Sequence, residues 1–536
     1  MVAVAPILAV IWIALHPETN IWPHLIATTL PRYLGNTLIL AAGVGGLAAA
    51  VGAGAAWFVV MYRFPGVRLV EWLLLLPLAI PAYVGAYALV DFLEYSGPVQ
   101  TALRETFGWT SARDYWFFQV RSRGAAIVVL AAALYPYVYL LTRAALREQS
   151  GAAYEVARSL GSGPFALFWR VGLPLARPAI VVGTAVVMME TVNDYGTVGY
   201  FAVQTLTTGI FTTWLEAGNA GGAAQIACLI LGLILLLVVA EKLGRRRLRF
   251  HQSGRGARPV MPTRLPGLRG WIVLGFCLIP VAVGFALPMA VILRHALAQS
   301  QGWLDPGLAR AFAHTLVTAG GAALVCVAAA LFLVYAQRLS HSGVPRLLVP
   351  LASIGYAAPG AVLAVGILMP LAALDHRLAD LILAVTGVEP GLLLTGSGFA
   401  IILAYSVRFF AISLGAADAA LDRIPPSLPM AARSLGQGAG GTLRRITLPL
   451  IRGSVGTALL LVFVDGVKEL PATLLLRPFN YETLATRVHE KASLEQIGQA
   501  APPAVLVIGV GLLAVLTLAR ANLRRDRRGM AGRVDP

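Results

Sequence analysis

The chain has 536 residues and a net charge of +17, with only 12% charged residues against 58% hydrophobic ones; its mean hydropathy is +0.76. Ordinary soluble domains carry about a quarter charged residues, so this balance excludes a soluble enzyme or binding module. Apolar runs of about twenty residues recur along the chain, the length that spans a bilayer as a helix. They lack the strict alternation of barrel strands, which leaves an all-α integral membrane protein.

In chain order the apolar runs predict about twelve spans. Six lie in the first half, at roughly 2–16, 34–61, 69–93, 124–142, 179–200 and 223–243. Six lie in the second, at roughly 271–293, 313–336, 347–371, 397–415, 453–476 and 503–520. Residues 2–15 lack a basic leader, and their apolar counterpart at 271–293 is internal, so they read as a span rather than a signal peptide. With the N-terminus inside, 30 Lys and Arg residues fall in inside segments and 11 in outside ones, while Lys468 sits in a span. That bias fixes the orientation. Because the cations cluster at span ends, the net charge reflects the bilayer as partner and not nucleic acid.

The third span of each half carries a proline, Pro81 and Pro359, offset by 278; Asn36-Thr37 and His314-Thr315 share the same offset. After the fourth span comes a polar stretch, YEVARSLGSGPFALFWRVGLPLARPAI from Tyr154, which returns as PMAARSLGQGAGGTLRRITLPLIRGSV from Pro429. The pairs Glu155/Met430, Ala157/Ala432, Gly161/Gly436, Arg170/Arg445, Leu173/Leu448 and Pro174/Pro449 are each 275 apart. A gapless internal repeat of this length implies two homologous halves. We therefore expect a first half at 1–244, a basic linker at 245–269 rich in Arg, Gly and Pro, and a second half at 270–536. The Ala-rich segments predict a short helix ended by a left-handed glycine, Gly161 or Gly436. In the second copy Pro425, Pro426 and Pro429, with Ser427 as the cap, mark the helix start.

Beyond each loop the span carries charges: Glu190, Asn193 and Asp194 in the first half, matched by Asp465, Lys468 and Glu469 in the second. Ionisable groups at membrane depth cost roughly 2.5–3.5 kcal/mol each and mark a cavity or a partner. The six residues are therefore the expected lining of a translocation pathway where the halves meet. Four acids against Lys468 leave an acidic surplus of three, which suits a hard cation better than an anion. Asp465 and Lys468, at i and i+3, also suit a structural pair on one helix.

Other chemistry is excluded. Cys228, Cys277 and Cys326 stand alone in apolar runs, without metal or disulfide spacing. The eight histidines show no ligand motif, so neither a metal site nor a cofactor is expected; His16, His24, His314 and His489 fall at or beyond outer span ends. A phosphate-binding loop needs Gly-Lys-Ser/Thr, but Lys242, Lys468 and Lys491 follow Glu, Val and Glu. The chain is thus not itself an ATPase.

The repeated loop resembles the E-A-A…G…I-x-L-P loop of permease subunits of ATP-binding-cassette importers. Glu155, Ala157, Gly161, Val171, Leu173 and Pro174 occupy the pattern in the first copy. Ala431, Ala432, Gly436, Ile446, Leu448 and Pro449 occupy it in the second, with Met430 where the acid would stand. Two further segments, GTVGYFAVQTLTTGIF after the first loop and VKELPATLLLRPFNYETLATRVHEKAS after the second, are similar to fused two-half permeases of iron(III) importers. The resemblance implies a six-helix architecture in each half and coupling helices that dock on two copies of a cytoplasmic ATPase subunit. It also implies a periplasmic substrate-binding protein and an inner-membrane location. Importers of thiamine, polyamines, sulfate or phosphonate share such loops. An ion-coupled secondary transporter also has internal repeats and midplane charges, but does not account for the duplicated loop.

Overall fold

The computed structural model describes residues 4–246, 260–339, 355 and 358–531; most of the 245–269 linker lies outside them. Among the described residues the chain is helical, apart from two residue pairs, β1 (Tyr62–Arg63) and β2 (Thr263–Arg264), which run parallel. The helices of the first half are α1 (Ala5–Leu15), α2 (Leu30–Met61), α3 (Val67–Leu73), α4 (Ala82–Leu93), α5 (Arg123–Glu148), α6 (Gly151–Ser159), α7 (Leu173–Asn193), α8 (Gly196–Tyr200) and α9 (Ala220–Arg246). They are followed by α10 (Leu268–Val281), α11 (Leu287–Ala298), α12 (Pro306–Leu339), α13 (Gly360–Thr386), α14 (Phe399–Leu421), α15 (Ser427–Ser434), α16 (Leu448–Lys468), α17 (Pro471–Leu476), α18 (Leu484–Ser493) and α19 (Ile497–Ala531), with the helix Pro98–Phe107 and shorter helical segments between.

Among the described residues ten helical stretches are long and apolar enough to cross a membrane, or eleven when the bent pair Val67–Ala79 and Ala82–Phe107 is one span. About twelve were expected. The difference is α1, an apolar helix of 11 residues that falls short of a full crossing,. Three predicted boundaries also move. The span expected at 69–93 breaks at Ile80-Pro81 with a 93° bend, because Pro81 is extended (φ −58, ψ 140) and opens α4,. Pro359 has the same geometry (φ −55, ψ 149) and opens α13; most of the span expected at 347–371 that precedes it lies outside the described residues. The spans expected to reach 200 and 476 end instead at Asn193 and Lys468.

The chain divides into two compact units, each drawing on both halves of the sequence. One contains Met1–Pro23, Gly209–Leu231 and Gln301–Glu490; the other contains His24–Thr208, Gly232–Ser300 and Lys491–Pro536. In the second of these, α2, α5 and α7 pack on one another. Their contact faces are small: Ala48, Ala55 and Ala56 are fully buried, and a Cβ on Gly52 would lie 2.8 Å from Val138 and 2.9 Å from the Tyr135 carbonyl oxygen. Lipid tails are as apolar as leucine, so span association depends on close van der Waals packing, and small residues permit it. The other unit repeats the plan with α12, α14 and α16 around Ala330, Val334, Leu414, Ala417, Leu421 and Ile451, while α1 packs on α13. Large apolar side chains such as Leu235, Leu236, Leu324 and Phe332 point outward, as a bilayer-facing surface requires.

Candidate functional site

The repeated loops fold alike. Ser150 caps α6 by accepting a hydrogen bond from the Ala152 N–H at 3.3 Å. The helix ends at Gly161, whose φ is +82. There the Gly161 N–H donates to the Arg158 carbonyl at 2.9 Å and the Ser162 N–H to that of Ala157 at 3.0 Å. In the second loop Gly436 has φ +80, and the Gly436 and Gln437 N–H groups donate to the Arg433 and Ala432 carbonyls, both at 3.0 Å. Only glycine adopts this left-handed closure without strain. One expectation fails: Ser427 is the first residue of α15, and Pro426 holds the cap position without a side-chain bond. Proline's fixed φ replaces the cap hydrogen bond at that end.

Glu155 and Ala431 are exposed, as are Gly161, Gly436, Pro174 and Pro449; Ala157 is half-buried and Ala432 buried. Leu160 and Leu435 are 80% and 82% exposed at matching positions just before the two glycines. The sequence reading passed over this pair, although the repeat registers it. Tyr154 anchors α6: it is buried, donates to the Gln149 side-chain oxygen, and packs against Trp57 with ring centroids 6.0 Å apart.

Each loop runs into a long helix through a short turn and a π-helical segment, Phe168–Gly172 or Leu443–Thr447. Pro174 and Pro449 lie at the starts of α7 and α16, each of 21 residues, or about 30 Å. The charged residues lie at the far ends of the same two rods.

There Asp194 receives the N–H groups of Thr197 and Val198, both at 3.0 Å, and the Thr197 hydroxyl at 2.9 Å. Glu469 does the same 275 residues later, accepting from Ala472 N–H at 3.0 Å, Thr473 N–H at 3.1 Å and the Thr473 hydroxyl at 3.0 Å. Both carboxylates cap the next helix, α8 or α17. That is why each span stops earlier than its hydropathy suggests: the acid pulls the chain into a turn, and Gly196 and Pro471 start new helices.

Glu469 is buried, and Arg408 donates to it at 3.1 Å. Arg408 is one of the 30 inside cations of the charge bias, although the span expected at 397–415 contains it. It lies in the middle of α14, a candidate span, where Glu469 supplies a counter-charge. Arg408 reduces the expected acidic surplus from three to two. Gly360 makes room for the pair: a Cβ there would fall 2.4 Å from both the Arg408 and Glu469 side chains. The charges of Lys468 and Arg408 also act on Asp465. Position 133, the first-half counterpart of Arg408 at the 275 offset, is alanine. Glu190 is half-buried, and Asn193 is buried with no hydrogen-bond partner for its Oδ1 among the described residues. Glu190 and Asp194 thus belong to one compact unit, and Asp465, Lys468 and Glu469 to the other.

A second duplicated feature joins distant parts of each half. The Thr37 hydroxyl accepts the Leu206 N–H at 3.0 Å, and Asn36 donates to the Gln204 carbonyl at 2.8 Å. At the 278 offset the Thr315 hydroxyl accepts the Leu484 N–H at 2.8 Å, and the His314 ring lies 2.9 Å from the Glu482 carbonyl. The recurrence of Asn36-Thr37 and His314-Thr315 was visible in sequence; their partners were not. His489, in α18, is held neutral by burial and by the charge of Arg477, which push its pKa down to about 4.

A family model described as binding-protein-dependent transport system inner membrane component matches residues 46–249. The chain is 26% identical over 484 residues to the Fe(3+)-transport system permease protein FbpB 2 of Haemophilus influenzae, covering 89% of this chain and 88% of that protein. It is 30% identical over 199 residues to the molybdenum transport system permease protein ModB of Escherichia coli K12, covering 35% and 82%. To the sulfate transport system permease protein CysT of the same organism it is 28% identical over 206 residues, covering 36% and 69%. The first similarity runs through both halves, whereas the other two each extend over about a third of the chain.

Proposed function

This chain belongs to the binding-protein-dependent transport system inner membrane components, a multi-pass permease subunit of the inner membrane, and from that premise we propose that it imports iron(III) in partnership with a separate ATPase. The observation that carries the coupling part is the pair of rods. In each half one long helix, α7 or α16, follows the exposed docking loop through a short turn and a π-helical segment and has a capped acidic turn at its end. A displacement at the loop is passed along a helix rather than absorbed by a hinge.

In this reading Leu160 and Leu435, with Glu155, Ala157, Gly161, Ala431, Ala432 and Gly436, contact the ATP-hydrolysing subunit, two copies of which serve the two loops. The chain supplies no phosphate-binding loop of its own, so ATP binding and hydrolysis belong to that partner. Closure of the ATPase pair draws the loops inward and reorients the rods, an alternation between two states driven by differential binding. Pro174 and Pro449 set the start of each rod. A periplasmic binding protein delivers the substrate from the opposite side.

Glu190, Asn193, Asp194, Asp465, Lys468 and Glu469 are the proposed pathway set, with unequal duties. Asp194 and Glu469 shape the turns, which leaves Glu190 and Asp465 as the acids for passing attraction. Weak attraction is what transport needs, since tight chelation traps the ion. The remaining acidic excess favours a cation, and the similarity along nearly the full chain supports iron(III). Sulfate or molybdenum is the second reading, favoured by the shorter similarities.

Uptake of labelled iron(III), thiamine, putrescine and sulfate by cells expressing the complete system tests the substrate; accumulation of another solute without iron refutes the iron assignment and leaves the permease intact. Co-purification of an ATPase tests the partner. For topology, cysteines at positions 158 and 433 are expected to resist an impermeant thiol reagent applied from the periplasmic side of intact cells.

A further inference from the structure

An apolar cavity of about 570 Å³ opens beside the first loop, between α2 and the 164–180 stretch. Its volume is within the roughly 300–1,000 Å³ of small-molecule sites. Ala50, Ala53 and Gly54 form its floor, and Trp57, Phe165 and Trp169 its walls. The internal repeat does not account for it. At the matching offsets the second half has Leu331 and Phe332 for Ala53 and Gly54, and Gly440 and Arg444 for Phe165 and Trp169, with Leu331 packed against that half's own core. The small floor and aromatic walls are therefore particular to one half.

The rim of the cavity is basic. Tyr62 lines it and pairs in β1 with Thr263 of β2, which sets Arg63 beside Arg264. Arg158 donates to the Thr263 hydroxyl at 3.2 Å. All three arginines are exposed; the acid Glu155, one turn earlier on α6, is exposed as well. An apolar slot at the end of a spanning helix thus meets three guanidinium groups, on the face that the arginine bias assigns to the cytoplasm.

We propose that this site binds an anionic phospholipid of the cytoplasmic leaflet, with an acyl chain between Trp57 and Trp169 and the phosphate on Arg63, Arg158 and Arg264. Charge complementarity selects an anionic headgroup over a zwitterionic one, and guanidinium forks match phosphate oxygens. The site has a consequence for coupling. Trp57 touches the lipid slot, α6 through Tyr154 at 6.0 Å, and the π-helical segment that follows through Phe168 at 5.3 Å. A bound chain braces the first docking helix, whereas the second has no matching set of residues.

The test uses the full chain, purified with its co-expressed partners and placed in lipid nanodiscs. The probes are phosphatidylglycerol and phosphatidylcholine carrying the same photoreactive group on an acyl chain. Phosphatidylglycerol is expected to label peptides containing Trp57 or Phe165 in preference to phosphatidylcholine. Arg63→Gln and Arg264→Gln are each expected to lower that labelling roughly fivefold, the effect of one basic residue at an anionic surface. Gly54→Phe, which installs the second-half residue, is expected to abolish labelling there by either lipid. Ala50→Phe, at an exposed floor position, does the same should Gly54→Phe not accumulate. Gel filtration of each variant confirms folding. Equal labelling by the two lipids, labelling that survives a filled cavity, or labelling unaffected by the arginine substitutions overturns the proposal.

Discussion

Arg408 donates a hydrogen bond to Glu469 at 3.1 Å, inside a helix bundle, while the same carboxylate caps α17. Both side chains are largely withdrawn from solvent, with 12% and 2% exposure. Removing one partner from such a pair strands the other charge, at a cost of about 3–5 kcal/mol. Arg408→Leu is therefore expected to lower the melting temperature of the purified protein sharply. Glu469→Gln is expected to be milder, because its amide oxygen can take the place of Oε1 and still accept from Arg408 and Ala472; it slows transport while the ATPase still co-purifies, as does Glu190→Gln. Equal melting temperatures for Arg408→Leu and the parent protein would refute the assignment.

Gly161→Asp and Gly436→Asp are expected to abolish uptake while the protein remains in the membrane. A side chain at φ +82 or +80 costs roughly 1–2 kcal/mol, too little to unfold the bundle but enough to unseat the loop. Since Met430 replaces the acid of the first copy, Glu155→Ala is expected to reduce uptake more than Met430→Ala. Membrane abundance and uptake, measured together, check both statements.

Leu160 and Leu435 project from the loops at 80% and 82% exposure. Exposed positions of this kind change stability by within about 0.5 kcal/mol. Leu160→Asp and Leu435→Asp are therefore expected to leave the melting temperature unchanged and to reduce the amount of ATPase recovered with the permease. Undiminished recovery in the double variant would remove these residues from the docking surface.

His489 lies outside the spanning helices and has a folded pKa of about 4, against 6.5 for the free group. Above pH 6.5 both folded and unfolded chains hold it neutral, so its full benefit is present. As the pH falls toward 4, the unfolded chain takes up the proton first, and stability falls by on the order of 3 kcal/mol. The melting temperature of the detergent-solubilised protein is expected to drop over this window, and His489→Gln is expected to flatten the drop. An unchanged pH profile in that variant would show that His489 does not titrate this way.

What the sequence by itself determined is what depends on local or periodic signals. Twenty-residue apolar runs set the spans, since a bilayer fixes the length a helix must have. The 275 offset set the two loops in register, and the chirality of the backbone set Gly161 and Gly436 as their closures. Tertiary structure alone decided the rest. Arg408 falls within the span expected at 397–415, and no pattern along the chain explains a cation there until Glu469, 61 residues away, provides the counter-charge that makes a buried guanidinium tolerable. That Asp194 and Glu469 also cap the helices after their spans shows only once the turns deliver N–H groups to them. Thr37 finds Leu206, and Thr315 finds Leu484, only when the helices have packed. In each case burial removes water from a polar group, and which distant partner replaces that water is settled by packing rather than by any pattern along the chain.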